Sequence, residues 1–425
     1  MSDVLTKLTA LAVSTFRGRN DLARSGTEPW LEPAFTSDAI LRESQRARLL
    51  MPSRDPNIET VAKEIFSEPD LAPLASREGE LEPMVLHPGG GYRASPIGLI
   101  TGLLTSALLQ IYYLRLPDDE NTFVRTVLEG FEELRRAARG EKVRAQLVLG
   151  FAGVTMVEGS QITTPWGVAK PAPKPPNEFR YFDPWRPQTT CLLAQTLLVP
   201  IKFDRAPSPT ADFDPFILAA ERSQVLFPLA CALASKESTD PAVPLTTWST
   251  LVLPFQNGFA YSQFQVSGRM KPNTDISERA KDVEEWARIL ENSHAPTVDV
   301  AARRIVSASG QRLDRSDALI DAVMVWENLF GTTTEVTFRV TAAVAKALEP
   351  DPTKRRTLRK SLAKVYGVRS RVVHGEVVNA EEVNEAASQA IDVAVRVLRF
   401  CYRRGSGWLG LSSSERAEVL LLEEA

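Results

Sequence analysis

The sequence predicts an α+β multidomain chain, with an N-terminal mixed α/β module followed by an all-α helical bundle. Three observations predict it. At 425 residues the chain is too long for one bundle. Between residues 143 and 254, short apolar runs of strand length surround one long helical segment. From about residue 275 onward, amphipathic helical segments follow one another with short connections, as in an antiparallel bundle. The expected divisions are a helical segment over 1–70, a recognition or sensor module over 71–270, the bundle over 271–410 and a helical tail over 411–425.

Helices are expected over 2–16, 38–50 and 57–67. The uncharged stretch 94–114 has the length of a membrane span. Its small and polar residues, Gly98, Thr101, Gly102, Thr105, Ser106 and Gln110, form one stripe, which fits a tightly packed soluble helix instead. A helix over 120–138 precedes strands at 143–150, 153–157, 192–203 and 246–254, with a long helix over 211–234 among them. Residues 161–187 hold TTPWG and KPAPKPP and read as an extended loop.

In the bundle, 276–293 turns Val283, Trp286, Ile289 and Leu290 inward, and 298–308 is a short helix ended by Gly310. The helix over 315–330 starts at Asp314, stops at Gly331 and buries Leu319, Ile320, Val323, Val325, Trp326, Leu329 and Phe330. Residues 334–349 end before Pro350. Residues 353–366 follow with a basic face, and 380–404 places Val383, Ala387, Ile391, Val395 and Leu398 inward. Ser412 and Glu415 fit a capping box that opens the tail, a docking segment or a partner helix.

Composition excludes several classes. A net charge of −3 confines any nucleic-acid surface to a local patch. Cys191, Cys231 and Cys401 are scattered, as are His87, His294 and His374, so no metal-binding spacing exists and no metal or cofactor is expected. The cysteine usage and the absence of a signal-peptide pattern fit a cytoplasmic protein with no membrane partner. Gly405 to Gly410 matches GxGxxG but follows a helix, and Gly89 to Gly91 lacks the Gly-Lys-Ser/Thr of a phosphate loop; both read as turns.

The candidate chemistry lies in KVYGVRSRVVHGE, where Arg369 precedes His374 by five residues. On a helix, Ser370 and Arg371 share a face with His374, while Arg369 sits off it and must bend back, helped if Gly367 loosens the helix. His374 offers a group that moves a proton near neutral pH. Arg369 offers a fixed cation for a developing negative charge. Upstream, Glu327 is a carboxylate among core residues, either paired with Arg369 or turned to solvent. Between 354 and 371 stand eight Lys or Arg residues, and Lys354, Arg355, Arg356, Arg359 and Lys360 make a candidate RNA-phosphate face.

The phrase from Tyr366 through Arg369, Ser370, His374 and Gly375, with DALIDAVMVWENLF before it, resembles the Apea-like branch of the HEPN superfamily. That resemblance implies a metal-independent endoribonuclease working as a homodimer through the bundle, in prokaryotic defence or stress. It implies Arg369 and His374 as the catalytic pair, assisted by Ser370, with Glu327, Tyr366 and Arg371 in support. The N-terminal module would then meet a trigger or regulatory partner. The alternatives are a non-catalytic HEPN protein that dimerises and binds RNA or a nucleotide, and a scaffold that only associates.

Overall fold

The computed structural model describes residues 2–25, 57–71, 74, 84–87, 90–93, 95–172, 189–204, 214–255, 262–264, 274–331 and 336–422. The expected helix over 38–50 and the end of the KPAPKPP run, residues 173–176, lie outside these residues.

Among the described residues five helices, α1 (Ser2–Ser25), α2 (Asn57–Ile65), α3 (Pro96–Leu114), α4 (Glu120–Ala138) and α5 (Asp214–Ala234), accompany the sheets. The central sheet is antiparallel and six-stranded, in the order β10 (Ser262–Phe264), β9 (Leu245–Val252), β3 (Val143–Ala152), β7 (Cys191–Val199), β6 (Gly167–Pro171), β5 (Ile162–Thr164). A three-stranded sheet joins β1 (Met84–His87) to β2 (Gly90–Arg93) and β8 (Lys202–Asp204). The two-residue strands β4 (Val154–Thr155) and β11 (Thr274–Asp275) pair in parallel.

From Leu147 onward strand β3 is buried on both faces, which is why that part of its sequence is an apolar run and not an alternation. Leu147 and Leu149 join the main core, while Val148 between them meets Leu109 and Tyr113 of α3. Gly150 lies under Trp248, and a Cβ there would come within 2.5 Å of the indole. Helix α3 is held in the protein by its polar stripe, for Ser106 Oγ donates to Leu253 O at 2.6 Å. Among the described residues no helix is long and apolar enough to cross a membrane.

Two loop expectations are corrected. The segment from 161 to 171 is a hairpin, because β5 and β6 pair around the turn at Trp166. A Pro-rich neighbour masked that signal. Gly90 and Gly91 lie in strand β2, paired with His87 and Leu86, and so are not turn residues.

The C-terminal region is helical, with α6 (Ala280–Ser293), α7 (Asp299–Val306), α8 (Arg315–Phe330), α9 (Val336–Leu348), α10 (Pro352–Val373), α11 (Ala380–Arg403), the single turn α12 (Ser406–Leu409) and α13 (Ser413–Leu422). Helix α8 is its axis, packed by α7, α9, α10, α11 and α13, and Leu319, Val323, Trp326 and Phe330 are fully buried. Ile320 is only half-buried. Gly310 does not stop α7; it lies in a π-turn, Ser307–Gln311, pressed against Val243 and Leu245. The tail is not a free partner helix, because α13 buries Arg416, Ala417 and Leu420 against α8 and α9. Its capping box is formed: Glu415 accepts from Ser412 N at 2.8 Å, and Ser412 Oγ accepts from Glu415 N at 3.3 Å.

One continuous apolar cluster runs from Leu8 through the sheet to Leu420. Polar contacts cross the same seam. Trp166 Nε1 donates to Glu291 of α6 at 2.7 Å, and Arg399 of α11 donates to Leu233 O of α5 at 2.8 Å.

Candidate functional site

Helix α10 carries most of the candidate residues. Asp351 caps it by accepting from Lys354 N at 2.8 Å, and Pro352 occupies the first turn, where a missing N–H costs nothing. The helix then runs unbroken through Gly367, so the expected loosening there does not occur.

It ends in a Schellman motif. Gly375, with φ of 76°, follows His374; its N–H reaches Val372 O at 3.1 Å, and Glu376 N reaches Arg371 O at 3.0 Å. Gly375 is there because only glycine adopts that left-handed turn without strain. His374 is therefore the C-cap, and its imidazole is exposed with no hydrogen bond to another described residue. His294 differs: its two ring nitrogens lie 2.8 Å from Tyr402 Oη and 2.7 Å from Asp299 Oδ1. Only His374 keeps both nitrogens available, of the two histidines whose side chains are described.

Arg369 faces the opposite way. Leu362, Val365, Tyr366 and Val368 define the buried side of α10, and Arg369 falls within that side, directed toward α8. There its Nη2 lies 3.6 Å from Glu327 Oε2, and its guanidinium stands 5.8 Å from the centre of the Tyr366 ring. The Tyr366 hydroxyl donates to the other Glu327 oxygen. Glu327 thus turns inward, not to solvent. Burial, with the Glu327 carboxylate beside it, pushes the Tyr366 phenol up to about 12. Arg369 Nε is buried and has no partner. The structure brings Glu327, Tyr366 and Arg369 together.

It does not bring Arg369 to His374 in one chain. Five residues of helix separate them by about 7.5 Å of rise and about 140° of rotation. Nor does Ser370 Oγ bond the imidazole: the Ser370 contact to His374 is backbone only, N to O at 3.0 Å. The imidazole instead projects into solvent from the helix end. Arg371 is paired with Glu382 of α11.

The basic run divides in two. Arg355 donates to Glu349 O at 2.9 Å and Pro350 O at 2.7 Å, satisfying carbonyls past the end of α9. Arg359 lies over the Phe338 ring at 5.2 Å. Lys354, Arg356 and Lys360 are exposed with no ion pair among the described residues, and so is Lys364. Lys364 is one of the eight cations of the run and is exposed like Lys360, its i,i+4 neighbour. The exposed Phe338, under Arg359, does not stand out in the sequence, because nothing local marks a helical Phe as exposed.

The cysteines offer no alternative nucleophile. The cysteines are buried, and burial pushes the Cys191 thiol up to about 12, too high for a nucleophile. Among the described residues, no group of three or more His, Cys, Asp or Glu is placed to hold a metal ion. Comparison with protein-family models, with curated proteins and with solved structures found no match.

Proposed function

We propose that the C-terminal bundle is of the HEPN type and that the protein is a metal-independent endoribonuclease of prokaryotic defence or stress. The observation that carries this reading is the contrast at the end of α10. An exposed imidazole with both nitrogens available caps the helix, and one turn and a half earlier Arg369 is held by Glu327 and Tyr366. His374 takes the proton from the ribose 2′-hydroxyl, whose oxygen attacks the adjacent phosphorus; the bond from phosphorus to the 5′ oxygen breaks, the imidazolium returns the proton to that leaving oxygen, and Arg369 stabilises charge on the phosphorane. Because the two point apart in one chain, the working site takes its groups from two protomers of a symmetric homodimer. The α/β module then receives the trigger.

Purified protein should cleave RNA in EDTA and leave a 2′,3′-cyclic phosphate and a 5′-hydroxyl. His374→Ala should lower that rate at least about 100-fold, the scale of general acid–base catalysis. Cleavage at the wild-type rate by a folded His374→Ala protein removes the assignment. A second reading has its own support: Glu327 partly neutralises Arg369, and Glu382 neutralises Arg371. In that reading the bundle binds RNA or a nucleotide without cutting it. RNA binding with no cleavage by wild type would select it.

A further inference from the structure

We propose that Phe338 is a base-stacking platform beside a phosphate track on α10, which makes single-stranded RNA the substrate class. The inference rests on the RNA reading above and adds which nucleic acid and which residues.

Two independent observations converge on one surface. The first is the face of α10 turned away from the core. On a helix of 3.6 residues per turn, Arg356, Lys360, Lys364 and His374 fall within an arc of about 80°. Arg356, Lys360 and Lys364 are exposed, and none has an acidic partner among the described residues. Gly367 lies on the same arc, and a Cβ there would meet nothing within 4 Å, so the surface between Lys364 and His374 is open. The row spans about 27 Å along the axis, and its i,i+4 steps of about 6 Å match the rise of an extended phosphodiester backbone. Arg371 falls on the arc as well, but Glu382 holds it.

The second observation is Phe338. It is 56% exposed on α9, although the first two turns of that helix also supply the buried Val340 and Thr341. Arg359 of α10 lies over its ring at 5.2 Å. Arg359 lies about 60° from Arg356 around α10, so the contact seats the ring at that edge of the row and leaves part of it open. A base has a π-face that stacks on such a ring whatever its sequence. A duplex hides its bases and offers only backbone, so a stacking residue beside a phosphate track selects an unpaired strand. Solvated lysines alone need no neighbouring exposed aromatic.

The test uses full-length His374→Ala protein, which removes cleavage from the readout. Binding of a 12-nucleotide single strand and of the matching RNA duplex is followed by fluorescence anisotropy against salt. The single strand should bind more tightly than the duplex. Phe338→Ala should weaken single-strand binding about 5- to 100-fold, the range of one stacked base, and leave duplex binding unchanged. Phe338→Trp should keep the affinity, which separates stacking from a folding defect. Lys360→Gln and Lys364→Gln should each lower the salt slope by about 0.7. Equal affinity for strand and duplex, or a Phe338→Ala protein that binds as before, overturns the proposal while leaving the nuclease reading intact. Phe338-dependent binding with no cleavage by the wild type upholds it and removes the nuclease reading. Absence of any RNA binding overturns both.

Discussion

Two arginines reach the last turns of α8, and they are held in different ways. Arg416, from the tail, is fully buried. Its guanidinium donates to Leu329 O at 2.9 Å, Asn328 O at 3.0 Å and Leu409 O at 3.0 Å, and also to Leu411 O. No carboxylate takes part, and burial lowers its pKa from the usual arginine value. Arg369 meets the same helix one residue earlier, at the side chain of Glu327, through one long contact of 3.6 Å. Both are cations beside the same α8 carbonyl end. Arg416 has its donors occupied by backbone and belongs to the scaffold. Arg369 is restrained in position yet keeps donors unused, which is what recognition of a phosphate requires.

Removing Arg416 should have the largest effect. Arg416→Met leaves the carbonyls of Asn328, Leu329, Leu409 and Leu411 without that donor inside the protein. An unsatisfied buried polar group costs about 1–3 kcal/mol, so the sum, after partial relaxation, is about 3–5 kcal/mol. Urea unfolding reads this as a lower midpoint at constant slope. A midpoint equal to wild type would erase the distinction between the two arginines.

Arg369→Ala tests the other half. A single long, partly exposed ion pair contributes at most about 1 kcal/mol to stability, so the urea midpoint should barely move. Cleavage should fall about 100- to 1000-fold, the loss expected when a donor to the developing charge is removed. A large drop in stability with cleavage retained would make Arg369 a second scaffold residue.

These contrasts explain what was legible in the sequence. Local periodicity marked α6, α8 and α11, because each needs one apolar stripe and its spacing is visible within a few turns. The end of α10 was legible as a motif but not as geometry. Five residues along a helix are always about 140° apart, yet whether the side chain bends back depends on α8, more than forty positions away in sequence. Glu327 was open between two states for the same reason. The Arg416 cage was invisible, since its partners lie up to 88 residues upstream and are backbone carbonyls of ordinary Leu and Asn residues. The eight-cation run was readable as charge but not as a surface, because only packing shows that Arg355 is spent on carbonyls and Arg359 on a ring.

Tyr366 refines the comparison on a smaller scale. Tyr366→Phe removes its bond to Glu327, a loss of about 1 kcal/mol for a hydroxyl donating to a partly exposed carboxylate. The pH dependence has a defined sign. The folded phenol titrates near 12 and the unfolded one near 10, so the folded state favours the protonated form. This contribution is fully present below about pH 10 and is lost as pH rises toward 12. The difference in stability between wild type and Tyr366→Phe should therefore shrink across that window. A constant difference would mean that Glu327 does not depend on the phenolic proton.

Ser370→Ala should have the smallest effect, and its smallness is informative. The Ser370 hydroxyl is half-buried and makes no hydrogen bond to another described residue, and its one tie to His374 is through the backbone, which alanine keeps. Alanine also has the higher helix propensity, by a few tenths of a kcal/mol, so stability should stay within about 0.5 kcal/mol of wild type or rise slightly. Cleavage should change by less than about twofold, because the serine makes no side-chain bond to the imidazole and the Schellman turn at Gly375 fixes the His374 backbone without it. A tenfold loss at unchanged stability would show that Ser370 contacts the imidazole or the RNA once the second protomer is in place. The imidazole would then be oriented by the assembled dimer and not by the helix end alone.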